Sequence, residues 1–524
     1  MTTAQTVERR TLLTRALDTI ERVGNKVPHP AIIFLGLIGL IIVLSAVFSL
    51  LGTEVTFEQA VLGQDDLETV TVAAKSLLDA DGIRFLFTST VSNFNGFGVV
   101  GVVVVAMIGV GLAEEAGLIS AFIKRLVKVT PARFITLIVV FLGVMSSIAT
   151  DAGYLVLIPL AGAVYVSLGR NPLAGIAAAF AGVGGGFGVN LLITPSDGML
   201  AEITNEAIAD PTQHVSITGN MYFSIVSTIV VTIVATLVSE KFVEPRLGPW
   251  NPADAPEDEA ATAPASNDLT PEEQRGLRWA GWGLLGVTAF VLLLSLPPWG
   301  PLRNPETGSL IEGSPLMGSI IFLILLFFFV MGLAYGKGAG TIKNSADVIN
   351  PMVKTIAGLA GLIFLLLIIS QFIAYFNYSN LGTIAAVNMA DALEHANLGT
   401  VPLILGLIAM TAVIDIFIGG VVPKWAIFAP IFVPLFIQLG ISPNLAVAAY
   451  RVGDSPVNIV TPLMPYFALI VIFAERYKRK IGVGSIISLM LPYTVALLVA
   501  WTALLVGWYL LGLPLGPGGA SIYL

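Results

Sequence analysis

The sequence predicts an all-α polytopic membrane protein. About nine transmembrane helices are joined by two oppositely oriented re-entrant helical hairpins, as an inverted repeat with broken helices at its centre. Three observations predict this. The 524 residues are 56% hydrophobic and only 11% charged, with a mean hydropathy of +0.89, whereas soluble domains carry about 25% charge. Lys and Arg partition sharply between alternate loops. Two Gly- and Pro-interrupted segments recur at a constant spacing.

A water-soluble core cannot absorb this much apolar surface, so the solvent is lipid. The absence of Cys excludes disulfides, thiolate metal sites and thiol nucleophiles, and three His leave little for a metal centre. A net charge of −8 is not the basic footprint of a nucleic-acid binder. No cofactor is expected, and the expected partners are the bilayer, a small-molecule substrate and a second copy of the chain.

Residues 1–30 carry Arg9, Arg10, Arg15, Arg22 and Lys26 and read as a cytoplasmic amphipathic segment, not a cleavable signal. Spans follow near 31–51, 91–112, 172–200, 220–240, 278–298, 316–335, 352–376, 443–473 and 484–511. Two longer apolar stretches, 132–167 and 402–440, have a polar or Gly-rich middle and read as hairpins that return to their own face. With the N-terminus in the cytoplasm, 21 of the 26 Lys and Arg fall inside, as the positive-inside rule requires. Lys75, Arg84 and Arg303 fall outside, and Lys424 and Arg451 are left at membrane depth. Full span pairs in place of the hairpins would preserve the same sidedness; the internal breaks and the repeat favour re-entrance. The acidic stretches 52–85 and 249–277 read as solvated connectors, the second a Pro/Ala/acid-rich linker between halves 31–248 and 278–524.

Residues 131–182 align with 402–453 at an offset of 271. Pro131 meets Pro402, Pro159 meets Pro430, Leu168-Gly169 meets Leu439-Gly440, Pro172 meets Pro443 and Gly182 meets Gly453. A small shift then brings "VNLLITP" (189–195) onto "VNIVTP" (457–462). An odd number of spans separates the copies, so they are inverted, the first hairpin entering from the cytoplasm and the second from outside. Paired, interrupted segments in inverted repeats mark the midplane site of a secondary transporter. The breaks are "AGVGGGFGVNLLITPSD" (181–197) and "VGDSPVNIVTP" (452–462). Their freed backbone groups must face protein or a wet cavity. Asn190, Thr194, Asn458 and Thr461 supply oxygens suited to sodium; the plainer reading is that they cap half-helices.

Charge at the bilayer centre costs at least about 2.5–3.5 kcal/mol, so ionisable groups there usually have a task. The candidates are Asp151, Asp197, Asp415, Lys424, Arg451 and Asp454. Arg451 and Asp454 are one helical turn apart. They read either as a self-compensating pair or as a carboxylate-binding Arg beside a proton-coupling Asp. Asp197 reads as a helix cap or an ion-coupling group. Trp425 reads as an interface anchor or a stacking surface for an aromatic ligand.

Five stretches closely resemble the AbgT family of p-aminobenzoyl-glutamate transporters. They are "NFNGFGVVGVVVVAMIGVGLAEEAGLI" (93–119), "TDAGYLVLIPLAG" (150–162), "LAGIAAAFAGVGGGFGVNLLITPSD" (173–197), "KWAIFAPIFVPLF" (424–436) and "AAYRVGDSPVNIVTPLMPYFALI" (448–470). The resemblance covers nearly the whole chain. It implies nine transmembrane helices with two opposed hairpins in a homodimer of the bacterial inner membrane. It also implies ion-coupled uptake of p-aminobenzoyl-glutamate or export of sulfonamide antimetabolites. By position it makes Asp197, Trp425, Pro443, Arg451, Asp454 and Pro462 the functional set. The second hairpin tip departs from the family pattern: "DIFIGGVVPKW" has Asp415 where Asn is usual, Gly420 and Val422 for Ser, and Pro423 for Ala. Asp415 is therefore expected to add a titratable or cation-binding group.

The coupling ion reads as proton or sodium. The nearest alternative is an organic-anion or dicarboxylate symporter of similar architecture. An intramembrane enzyme is disfavoured because no H-E-x-x-H or G-x-S-x-G motif is present. A channel is disfavoured by the paired hairpins.

Overall fold

The computed structural model of the chain describes residues 30–60, 67–148, 153–208, 210–251, 255–256, 269–310, 314–395, 399–462, 464, 466–479, 481–517 and 522–523. The predicted cytoplasmic segment and Asp151 lie outside the described residues, apart from Pro30.

The protein is mainly helical. Its apolar helices are α1 (Pro30–Leu50), α2 (Thr90–Gly96), α3 (Val99–Glu115), α4 (Leu118–Val129), α5 (Ile135–Met145), α6 (Ile158–Ser167), α7 (Pro172–Val183), α8 (Pro195–Glu206) and α9 (Met221–Val238) in the first half. The second half holds α10 (Pro271–Ser295), α11 (Ile320–Ala339), α12 (Ala346–Gly358), α13 (Ala360–Tyr378), α14 (Leu381–His395), α15 (Thr400–Asp415), α16 (Val421–Gln438), α17 (Pro443–Asp454), α18 (Phe467–Glu475) and α19 (Val483–Leu510). Among the described residues seven helices are long and apolar enough to cross a membrane, or eight if the α2–α3 pair, bent by 47°, is one span. The sequence count of nine differs because it takes 172–200 and 443–473 as whole spans. Here each is two shorter helices around a break, while α16, read as part of a hairpin, passes the length test alone.

Three local expectations are corrected. The linker ends earlier than 277, because α10 begins at Pro271 behind Thr270, whose hydroxyl accepts from the Glu273 amide while the Glu273 carboxylate accepts from the Thr270 amide. "TPEE" is thus a capping box, a start signal that the acidic composition masked. The 52–85 connector contains an antiparallel pair of strands, β1 (Glu54–Ala60) and β2 (Leu67–Ala73), with Glu54 opposite Ala73. The span read at 352–376 is divided between α12 and α13.

The repeat is visible residue by residue. Helices α7 and α17 have the same length and begin and end 271 residues apart. Each opens on Pro behind a capping side chain, Asn171 in one and Ser442 in the other. Before each, the chain turns through a left-handed glycine, Gly169 (φ 69) and Gly440 (φ 67). The Arg170 amide donates to the Tyr165 carbonyl at 2.8 Å and the Ile441 amide to the Phe436 carbonyl at 2.9 Å, the same closure in both copies.

Every residue of α7 and α17 is buried. Helices α5 and α6 pack on α7, and α15 and α16 pack on α17. The closest approach falls at matched glycines. A Cβ on Gly182 would collide with the Val140 carbonyl of α5, and one on Gly453 would lie 2.6 Å from the Ile408 carbonyl of α15. Without hydrophobic drive between helices in lipid, such small-residue contacts let backbones touch and dispersion hold them. A main core runs through both hairpin regions and both broken segments. A smaller one joins α3, α4, α10 and α11 around Leu112, Ala113, Ala280 and Tyr335.

Overpacking at these crossings gives a direct check. Gly453→Val and Gly182→Val are each expected to destabilise the protein by roughly 1–3 kcal/mol or more. Gly36→Val, where an added Cβ meets nothing within 4 Å, is expected to be near neutral. Thermal unfolding in detergent measures all three; equal midpoints across the set would refute the close-packing account.

Candidate functional site

The two broken segments meet through their charged side chains. Arg451 sits in the last turn of α17. Its Nη1 lies 2.6 Å from Oδ1 of Asp197 on α8 and donates to the Gly188 carbonyl, in the first break, at 2.9 Å. Asp454, one turn further, is held within its own copy: its Oδ1 lies 2.7 Å from Lys424 Nζ on α16 and 3.0 Å from the Tyr450 hydroxyl. Lys424 also forms an ion pair with Asp415 at the end of α15. Of the two readings of Arg451 and Asp454, the self-compensating pair is the one that the geometry does not show. Each member has a partner on another element, because the breaks and the second tip bring opposite charges closer than their own helix does.

Asp197 does two things with two oxygens. Oδ1 faces Arg451, while Oδ2 accepts from the Thr194 amide at 2.6 Å and the Thr194 hydroxyl at 2.7 Å. Thr194 and Asp197 form a capping box that restarts the helix at Pro195. The carboxylate that terminates the break is therefore also the counter-ion of the guanidinium.

The four Asn and Thr residues fall into separate groups. Asn190 Nδ2 donates to the Met145 carbonyl at 3.1 Å and the Ser147 hydroxyl at 3.0 Å, and its Oδ1 accepts from the Leu192 amide. Thr461 donates to the Ile416 carbonyl at 3.1 Å. Each break is so fastened to the end of the hairpin helix in its own copy. Thr194 is committed to Asp197, and Asn458 lies 3.5 Å from Asp454. Asn190 and Thr461 act here as ties and Thr194 as a cap. Among the described residues no group of three or more His, Asp or Glu converges for a metal.

Trp425 is fully buried, which removes the interface-anchor reading. Its Nε1 donates to the Thr204 hydroxyl of α8 at 3.0 Å, and its ring lies 4.9 Å from that of Tyr450. It fastens the start of α16 to the first copy. Pro443 opens α17. Pro462 opens no helix, since α18 begins only at Phe467, so the shared Thr-Pro is used differently in the two breaks.

A cavity of about 520 Å³ lies between α8, the 215–218 segment and the start of α11, with Glu202, Asn205 and Ser314 on its wall. This volume suits a small organic molecule. It shares Ala201, Val215, Ser216 and Ile217 with a pocket of about 10 Å³ that reaches Asp197, Asn220 and Arg451. Arg451 Nε and Asn220 Oδ1 are buried with no hydrogen-bond partner among the described residues. Sequence reasoning missed Tyr450, Thr204 and Glu202. Tyr450 adjoins Arg451 and was findable; the other two carry no local signal.

The chain matches the model of the "AbgT putative transporter family" over residues 15–523. It is 38% identical over 501 residues, 95% of both chains, to the p-aminobenzoyl-glutamate transport protein of Escherichia coli (strain K12). Two solved structures are similar. The Alcanivorax borkumensis YdaH transporter is 44% identical with a TM-score of 0.85, over 94% of this chain and 100% of that one. Neisseria gonorrhoeae MtrF, described with a class of antimetabolite efflux pumps, is 41% identical with a TM-score of 0.88, over 96% and 100%.

The Arg451–Asp197 pair is testable apart from transport. Arg451→Ala leaves a buried carboxylate without its cation, and the expected loss is about 3–5 kcal/mol. Asp197→Asn in that background is expected to recover a large part. Denaturation midpoints of the double-mutant cycle measure it, and additive losses would mean that the two groups do not interact.

Proposed function

The chain belongs to the AbgT family of membrane transporters, and from that premise we propose that it is a proton-coupled secondary carrier for p-aminobenzoyl-glutamate or a related aromatic carboxylate. The observation that carries this reading is the Arg451–Asp197 pair, which joins the two broken segments beside a cavity of small-molecule size. A substrate carboxylate competes with Asp197 for Arg451. The planar guanidinium suits a carboxylate, and its Nε has no protein partner among the described residues. Displaced, Asp197 loses its counter-ion in a buried place and takes up a proton. Substrate and proton then exchange at one cation, a physical basis for coupling. Proton is favoured over sodium because Asn190, Thr194 and Thr461 spend their polar atoms on protein hydrogen bonds.

The matched helix ends and inverted charge pattern support nine spans with two opposed hairpins, each able to gate one face in alternating access. Trp425 is packed on Tyr450, so stacking on an aminobenzoyl ring requires the second tip to move. We assign the protein to the inner membrane with a cytoplasmic N-terminus, as a homodimer, on charge pattern and family likeness. The relation to MtrF supports export of sulfonamide-type antimetabolites as a second direction of use.

The test uses proteoliposomes with radiolabelled p-aminobenzoyl-glutamate or a sulfonamide, under proton and sodium gradients imposed separately. Flux driven by the proton gradient is expected, reduced at least about tenfold in Arg451→Ala, with Arg451→Lys intermediate. Tenfold corresponds to about 1.4 kcal/mol, less than a charge-assisted contact is worth. Flux of neither compound under any gradient sinks the substrate assignment. Flux driven by sodium alone sinks the proton reading.

A further inference from the structure

The second tip holds more negative than positive charge. Asp415 at the end of α15, Lys424 on α16 and Asp454 on α17 are all buried, the first two completely. Lys424 pairs with both carboxylates. Asp454 also lies 3.0 Å from the Tyr450 hydroxyl, whose single proton faces the Val421 carbonyl at 2.5 Å as well, and 3.5 Å from Asn458 Nδ2. Asp415 has no hydrogen-bond donor other than the shared ammonium among the described residues.

No neighbouring charge corrects the imbalance. On α17 the remaining charged group is Arg451, which is neutralised by Asp197 of α8. On α16 it is Lys424 alone. Helix α19 also packs on α15 and contains no Asp, Glu, Lys, Arg or His. Helix α8, packed on α16 and α17, adds only the carboxyls Asp197, Glu202 and Glu206, and α14, packed on α16, carries Asp391, Glu394 and His395, with His395 exposed and bonded to the Asp391 carbonyl. Tyr450 brings no positive charge, and its hydroxyl is shared between the Val421 carbonyl and Asp454. Two carboxylates and one ammonium, all ionised and out of water, leave an unpaired negative charge, which is the case that proteins avoid by neutralising a group. Neither cavity described above includes Asp415 or Lys424 on its wall, so neither offers this trio room for a hydrated sodium ion.

We propose that Asp415 makes the Asp415–Lys424–Asp454 trio a proton-binding site. With the tip closed, one of its two carboxyls is a neutral acid, its proton taken from water. When the tip opens and water reaches the trio, that proton returns to water and both carboxylates are ionised. The tip's closing equilibrium then shifts by up to about tenfold per pH unit, favouring closure at lower pH. The tie between this proton and substrate movement rests on the transport reading above; the proton itself does not.

Infrared spectroscopy of the purified full-length protein at pH 7 tests it without any substrate. The carbonyl stretch of a buried protonated carboxylic acid is expected in the wild type, and the wild-type-minus-variant difference spectrum is expected to show the loss of one such carboxyl in Asp415→Asn, which leaves Lys424 and Asp454 as a neutral pair. Asp415→Ser serves as a second variant if the amide does not fold. A wild type without the band overturns the proposal, whatever the variants do. A band of unchanged intensity in a folded Asp415 variant does so too, as does a band that disappears when sodium is added at constant pH. In proteoliposomes the Asp415→Asn protein is expected to transport with a flattened pH dependence. Loss of all transport with the band behaving as expected would count against the transport reading and not against the proton site.

Discussion

Neutralising charge at membrane depth is the constraint on which the rest of this structure depends. Arg451 and Lys424 are both buried, and each needs a carboxylate within reach. Neither takes it from its own helix. Arg451 draws Asp197 from the first copy of the repeat, and Lys424 draws Asp454 from the broken segment and Asp415 from the hairpin region. The two breaks and the second tip are therefore held together by ion pairs that cross between elements. A movement that separates those elements must first provide other partners for the charges, which is what a substrate carboxylate, a proton or water can do.

The crossings around these pairs are set by small residues. Gly182 and Gly453 let α7 and α17 lie against the carbonyls of α5 and α15, and Gly169 and Gly440 turn the chain into each half-helix. Two copies of one supersecondary unit thus place two unwound segments face to face. The copies then diverge. Phe180 and Val183 stand in the first where Arg451 and Asp454 stand in the second. The first break restarts a helix through Thr194 and Asp197, while in the second Thr461 is tied to Ile416 and the helix restarts later. Shared residues build the frame; unshared ones bring the chemistry.

Much of the fold was legible because it rests on local signals. Apolar length, Lys/Arg asymmetry and the offset of 271 each survive in a single sequence, and the helix ends of α7 and α17 fall where Pro and the chain turns indicate. The errors were local as well. The acidic run before Pro271 hid a capping box, and the stretch 52–85 hid a pair of strands, since composition speaks for solvation but not for capping or register. The candidate residues were legible as types out of place in lipid. Their pairing was not. Arg451 and Asp454 stand three apart in the chain, and the i,i+3 rule offers them to each other. It cannot see Asp197, 254 residues away, or Lys424 on a neighbouring helix. Trp425 had two readings from sequence, and the hydroxyl of Thr204 decided against the lipid-facing one.

The sequence by itself determined the solvent, the helical class, the family and the two places where helices must break. Each of these follows from hydropathy, charge or Gly and Pro chemistry along the chain. Only the tertiary structure decided which carboxylate serves which cation, because that choice depends on distances between elements that are far apart in the chain. It placed two carboxylates on one lysine and made Asp197 both a helix cap and a counter-ion. Electrostatic partners in a low-dielectric interior are chosen by proximity in space, and proximity in space is what folding alone supplies.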